Sequence, residues 1–454
     1  MSLNTSLIVA MQSLLAEQGA LDATTNNIAN VNTPGYTREL PVLSEAPATQ
    51  YANYSMGNGV VLEQFQSIRD QILEQRIQQV TQQNAGAQAQ TNALQQVETL
   101  FTSNGSDIGS EMSALFNSIM QLQTDPANMS LRQGILSAGQ NLATAFHTTA
   151  AGIAQVQGGM NLQVTQDVGQ INQLAQEIAP LSVQLANLKA TGQDGGAVED
   201  QLNVLLGKLS GLTDVNLTQT ESGVTLTTGN GTALVVGGQS FALQTATGSD
   251  GMTHVLDSSG TDITPAIQNG DLGGTLQVRD TTLPGLTNQL NTLASQFASA
   301  FNTAHEGGFD LNGQAGVAFF SAPSTGSGSA ANFSVAITDP ALIAASSDGS
   351  AGSNGNITNL IAVQNAKLPS GSSPIDGYAN IVFAAGVASA NAQAQTSATS
   401  MSLQQLNDQR SAISGVSINE ESTNLIRYQQ AFAAAAKVIS TIDQLNADVL
   451  NMIR

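Results

Sequence analysis

The chain has 454 residues, enough for two to four domains, yet only 10% of them are charged, so its polar surface is built from Gln, Asn, Ser and Thr. Asp and Glu number 33 against 12 scattered Lys and Arg, which excludes a phosphate-binding face and disfavours anionic membranes, because both need clustered positive charge. There is no Cys, hence no disulfide framework and no thiolate metal site.

The N-terminal "MSLNTSLIVAMQSLLAEQGALD" lacks the cationic start and cleavage site of a Sec-type signal. No apolar run approaches the roughly 18 residues of a membrane span. Leu7, Leu14, Leu21 and Ile28 fall seven apart, with Leu3, Ala10 and Met11 beside them, which predicts a helix over residues 2 to about 30 with an apolar stripe. In "TNNIANVNTPGYTRE" that helix stops: Thr33 precedes Pro34 and is pushed out of the α region, and Pro34-Gly35 suits the centre of a type II turn. The crowded Asn residues can cap locally or bond laterally to neighbouring molecules.

Helical period continues over residues 69–101 and 109–123, both Gln-containing. Asp125-Pro126 reads as a cap and first position of a further helix that runs towards Leu188, with Pro180 a kink or break. From Asp214 the period becomes alternating. Val224 and Leu226, Leu234 and Val236, and Phe241 and Leu243 stand two apart between Gly-rich turns, predicting an antiparallel β subdomain over 214–280 closed by "GGTLQVRD". Residues 283–302 and 374–414 return to helix, with Gly/Ser-rich irregular chain over 321–356.

At the C-terminus Ile418, Leu425, Phe432 and Ile439 are spaced by seven, Ala435, Ile442 and Val449 form a second row, and Ile453 continues the first. One helix over 418–453 is about 54 Å long and cannot cover its own stripe. The fold class is therefore mainly α, elongated and multi-domain. Its terminal helices pair in a coiled-coil-like inner domain (1–35 and 415–454), a helical bundle forms the body (36–213 and 281–414), and the small β subdomain is inserted.

Chemistry is sparse. "HEGGF" at His305 begins like a zinc-protease helix but has Phe309 where the second His must stand; a polar residue in the turn after a helix is the plainer reading. "FDLNGQAG" opens faintly like a calcium loop but lacks the closing Glu, which leaves an Asx turn at Asp310. No nucleotide loop or nucleophile elbow is present. No catalytic residue, metal ligand or cofactor is expected, and nothing favours an enzyme.

"TNNIANVNTPGYTRE" resembles the signature turn of the bacterial flagellar axial proteins of rod, hook and hook-associated type. "GNGVVLEQFQSIRDQILEQRI", "TDPANMSLRQGILSAGQNLATAFH", "FNTAHEGGFDLNGQAGVAFF" and "SGVSINEESTNLIRYQQAFAAAAKVISTIDQLNADVLNMIR" are similar, end to end, to the hook-associated protein 1 family. The resemblance implies a structural adaptor of the extracellular flagellum at the hook-filament junction, exported by the flagellar type III system. Its implied partners are further copies of itself, hook protein, hook-associated protein 3 and a cytosolic export chaperone.

Carried onto this chain, the resemblance puts the assembly interface at Leu7, Leu14, Leu21, Ile28, Ile418, Leu425, Phe432, Ile439, Ile442, Val449 and Ile453. It puts chaperone contact at Leu425, Phe432, Ile439 and Ile442, and the axial turn at Asn27, Asn30, Asn32, Pro34, Gly35 and Tyr36. Larger relatives carry an extra outer domain where this chain has only the Gly/Ser-rich segment. A hook or distal rod protein is the near alternative, and a secreted enzyme or adhesin with flagellar-type ends the distant one.

Overall fold

The computed structural model describes residues 3–51, 54–101, 106–220, 223–321 and 328–453. Helix α1 (Leu3–Ala29) leads into β1 (Glu39–Glu45), β2 (Thr49–Tyr51), β3 (Tyr54–Met56) and β4 (Val60–Ser67). These strands lie in a stretch expected to belong to the helical body. β1 pairs antiparallel with β4, Glu39 opposite Ser67, with an irregularity between Val42 and Leu43, and β2 pairs with β3. Helix α1 rests on β4 so closely that a Cβ on Gly19 would stand 2.4 Å from Leu62 Cδ2.

Helices α2 (Gln71–Phe101), α3 (Ile108–Leu122), α4 (Met129–Ala190) and α5 (Gly196–Leu212) follow. Side-chain caps start several of them: Asp70 Oδ1 accepts from the amides of Ile72 and Leu73, and Asp107 from that of Ser110. Helix α4 begins three residues after Pro126, capped by Asn128. Asp125 and Pro126 form the preceding turn, where the Pro126 carbonyl accepts a 2.7 Å hydrogen bond from buried Arg132. The 62 residues of α4 extend about 93 Å. Pro180 does not break it. Both Pro180 and Gln176, whose carbonyl the ring leaves without a helical donor, face solvent, so the lost bond is not buried.

Strands β5 (Val215–Thr220), β6 (Gly223–Thr228), β7 (Ala233–Val236) and β8 (Gln239–Ser240) make a four-stranded antiparallel sheet, and β9 (Gln244–Thr247) pairs with β10 (Thr253–Leu256). Alternation holds for Val224 and Leu226, but Leu234 and Val235 are the buried pair and Val236 is exposed, because the register shifts between Leu226 and Thr227. The "GGTLQVRD" segment is not a closing strand. It forms α6 (Gly270–Gln277) and one π turn, Val278–Thr282, that runs into α7 (Leu283–Glu306). Gly274 permits the packing that holds it there: a Cβ would lie 2.2 Å from the Gly86 carbonyl, so α6 packs backbone to backbone on α2.

The remaining elements are β11 (Phe320–Ser321) paired with β12 (Ser334–Val335), α8 (Ile357–Ala362), α9 (Pro374–Ser414) and α10 (Ile418–Ile453). Two separate cores share α4 as their spine. The larger one joins α2, α3, the first half of α4, α7 and α9 around a cluster of mutually tilted rings, Phe297, Phe301, Phe319, Phe320 and Phe333. The smaller one joins the second half of α4 to α5, α6 and the sheet. Total accessible surface is 22185 Å², against about 16,000 Å² for a compact monomer of this size, as an elongated chain requires.

His305 is not a turn residue. It sits fully buried in the last turn of α7, its Nδ1 2.6 Å from the Val317 carbonyl and its Nε2 accepting from the Ala344 amide. Burial pulls its pKa down to about 4, so the ring is neutral and structural. Asp310 makes the expected Asx turn, accepting from the amides of Asn312 and Gln314.

Candidate assembly interface

Helices α1 and α10, from opposite ends of the chain, pack against one another, and α1 also packs against β1 and β4. On α10 the residues turned inward are Leu425, Tyr428, Phe432, Ala435, Ile439 and Ile442, spaced alternately by three and four. That spacing keeps one stripe facing a partner helix. On α1, Leu7, Leu14, Leu21 and Ile28 are half-buried, while the fully buried positions are small: Ala10, Ala16, Ala20 and Ala23. Sequence reading favoured the large side chains and named Ala10 but passed over Ala16, Ala20 and Ala23, although these continue to Asn27 at the same four-three-four spacing.

Two members of the expected stripe lie outside this seam. Ile418 is 54% and Val449 40% exposed, because Ile418 opens α10 and Val449 stands beyond the stretch that α1 covers. The side chain of Ile453 lies outside the described residues. A second set of apolar side chains, of which the sequence reading had named only Met11, also faces solvent: Ile8, Met11 and Leu15 on α1, and Val438, Leu445, Leu450 and Met452 on α10. On α1 its signal in the sequence was the three- and four-residue spacing of Ile8, Met11 and Leu15 off the main stripe.

The turn after α1 is the centre of a polar hub. The Tyr36 amide donates to the Thr33 carbonyl at 3.2 Å and Gly35 has φ +84°, which is a type II turn with Gly at its left-handed position. Asn27 is buried and fully used. Its Nδ2 donates to the Glu39 carbonyl and to Glu421 Oε2, and its Oδ1 accepts from the Tyr36 hydroxyl and the Glu39 amide. Asn30 caps locally on Asn26 and Thr33. These two amides therefore serve the chain's own fold, whereas Asn32 and Pro34 face solvent.

Ion pairs extend the hub to the body. Arg38 reaches Glu421 at 2.7 Å and Glu420 at 2.9 Å; Arg410 reaches Glu74 at 2.6 Å and lies 3.4 Å from the Gly35 carbonyl. Arg69 holds Asp200 and donates to the Thr37 hydroxyl, while the Thr37 amide donates to Asp200. Burial, then the charges of Asp194 and Asp200, raise the Glu39 carboxyl to about 7. Burial and the neighbouring carboxylates hold the Tyr36 hydroxyl well above its ordinary range, so it remains a donor. Burial also raises Glu17 on α1, opposed by Arg427 on the facing helix.

This arrangement fixes the angle at which the paired terminal helices leave the body. Among the described residues no three His, Asp or Glu side chains gather as a metal site. The larger clefts are open grooves, one of about 760 Å³ walled by Gln75, Gln78, Gln79 and Gln82. No helix among the described residues is long and apolar enough to cross a membrane.

Residues 94–320, half of the chain, match the family model described as the flagellar hook-associated protein FlgK helical domain. Residues 7–37 match that of the flagella basal body rod protein, and 408–452 that of the flagellar basal body rod FlgEFG protein C-terminal region. The chain is 27% identical to flagellar hook-associated protein 1 of Escherichia coli K12, covering 98% of each chain. It is also 27% identical to flagellar hook-associated protein 1 of Bacillus subtilis 168, covering 98% of this chain and 97% of the relative. In fold it matches the solved flagellar hook junction protein FlgK from Burkholderia pseudomallei with a TM-score of 0.67 at 17% identity, over 75% of this chain and all of that one.

Proposed function

The chain belongs to the flagellar hook-associated protein family, and from that premise we propose that it is the adaptor joining hook to filament, assembled through α1 and α10. It is a structural component of the bacterial flagellum. The observation that carries the reading is the set of large apolar side chains left on the outside once α1 and α10 have paired: Ile8, Met11 and Leu15 on α1 and Val438, Leu445 and Leu450 on α10. A surface with so few charges gives such a set little protection in solution, and copies of the same chain in a tube cover it.

In this proposal the molecule acts without catalysis, leaves the cell by the flagellar export route, and contacts further copies, hook protein and hook-associated protein 3. The terminal helices form the inner domain, with Ile418 and Val449 available to neighbours and Leu7, Leu14, Leu21 and Ile28 shared between the pair and its surroundings. An export chaperone on Leu425, Phe432, Ile439 and Ile442 would meet side chains that α1 covers in the folded chain, so it acts before α1 and α10 pair. The test is deletion of the gene. Cells with hooks but no filaments support the junction reading; cells without hooks overturn it in favour of a rod or hook component.

A further inference from the structure

Asp167 lies in the smaller core on α4, fully buried, and its Oδ2 has no hydrogen-bond partner. Its Oδ1 accepts from Gln163 Nε2 at 2.8 Å, and the same amide lies 3.4 Å from Oδ2 of Asp271 in the first turn of α6. Two carboxylates on facing helices therefore share one neutral donor. An ionised carboxylate with a bare buried oxygen is costly, and among the described residues no Lys, Arg or His pairs with either of these two to offset it.

The surrounding elements confirm that isolation. From α2 the side chains in the adjoining crevice are the neutral Asn92, Gln96 and Thr99. Helix α5 contributes Leu202, Leu206 and Leu209 to the same core, while Lys208 is exposed and Glu199 and Asp200 pair with Arg69. Arg279 in the π turn pairs with Asp280, and His254 on β10 with Asp250 and Asp262.

We propose that Asp167 and Asp271 hold a single proton between them and form a pH-sensitive latch fastening α6 to α4. The proton resides on Asp167, the more buried partner, and the negative charge on Asp271, where the N-terminus of α6 favours an anion. Loss of the proton puts two negative charges on one Gln163 amide across the α4-α6 seam. The seam then opens at α6 and the π turn that follows it. Burial followed by the facing Asp271 raises the Asp167 carboxyl to about 7, and burial raises Asp271 as well. A raised acid favours the closed form at low pH, and that advantage is lost as pH rises from the ordinary carboxylate range to about 7. The latch thus loosens as pH rises from the acid range towards 7 and is fully slack above about 7. It stands independently of the junction reading.

The decisive experiment is a carbon-13 titration of aspartate carboxyls in the full chain, with hydrogen exchange of residues 270–282 measured at pH 6 and pH 8. One resonance, absent in Asp167→Asn, is expected to titrate with a midpoint above about 6, and Asp271→Asn moves that midpoint down by about one unit as the facing charge is removed. Exchange over 270–282, corrected for intrinsic chemistry, is expected to quicken about tenfold between the two pH values. Aspartate midpoints all below about 5, a high midpoint unmoved by Asp271→Asn, or pH-independent exchange would overturn the latch. Should Asp167→Asn fail to fold, the wild-type and Asp271→Asn titrations still decide.

Discussion

Asn27 and Glu421, 394 positions apart, are joined by a 3.2 Å hydrogen bond in a buried site. That single contact ties the first helix to the last at the point where both meet the body. Replacing Asn27 by Ala removes the four hydrogen bonds centred on its amide and leaves the Glu39 amide and the Tyr36 hydroxyl without their partner. A cost of about 3 kcal/mol is expected, read as faster hydrogen exchange in α1 and α10 with α3 and α7 unaffected. Equal exchange in variant and wild type would remove Asn27 from its central position.

The stability contributed by Glu39 should fall as pH rises from about 4.5 to about 7, opposite to ordinary carboxylate behaviour. Glu39 holds its proton to about 7 in the fold, against an ordinary value of 4.5. The folded chain therefore binds the extra proton between those values, and the associated stability is lost from about pH 4.5 upward, completely so above about 7. Glu39→Gln should raise the melting temperature at pH 8 and change it little at pH 5. A variant that melts identically to wild type at pH 8 would contradict the burial cause.

Glycine substitutions should separate close packing from mere helix weakness. Gly274→Ala forces a Cβ against the Gly86 carbonyl and is expected to destabilise by about 2 to 3 kcal/mol. Gly158→Ala, in α4 with nothing within 4 Å of the new Cβ, should stabilise by about 1 kcal/mol. Thermal melts of the two variants check both signs.

Those glycines also show what could be read in advance. The seven-residue rows gave α10 its bounds, because a 36-residue stripe leaves no competing structure, and Pro34-Gly35 gave the turn. "GGTLQVRD" alternates like a strand, yet Gly274 meets the α2 backbone, a tertiary contact that periodicity does not encode. "ELPVLSE" and "VVLEQFQS" were too short and too mixed to stand out as β1 and β4 between long helices. In the hub, Glu39, Glu421, Arg38 and Arg69 come from distant positions and carry no local signal. Apolar rows were legible; polar convergence was not.

Charge placed on the outer apolar set should spare the monomer and prevent assembly. Leu445 is 48% exposed and Leu15 62%, so Leu445→Glu and Leu15→Glu are expected to change folding stability by about 0.5 kcal/mol or less. Cells carrying either variant should export the protein yet lack filaments. Normal swimming in both would show that this set is not an assembly surface.

The most direct measurement is cryo-microscopy of an intact hook-filament boundary with this chain traced through it. The account predicts α1 and α10 paired on the inner side of the tube, with Ile8, Met11, Leu15, Val438 and Leu445 against neighbouring copies. A boundary in which these side chains face open solvent, or from which the chain is absent, would contradict it.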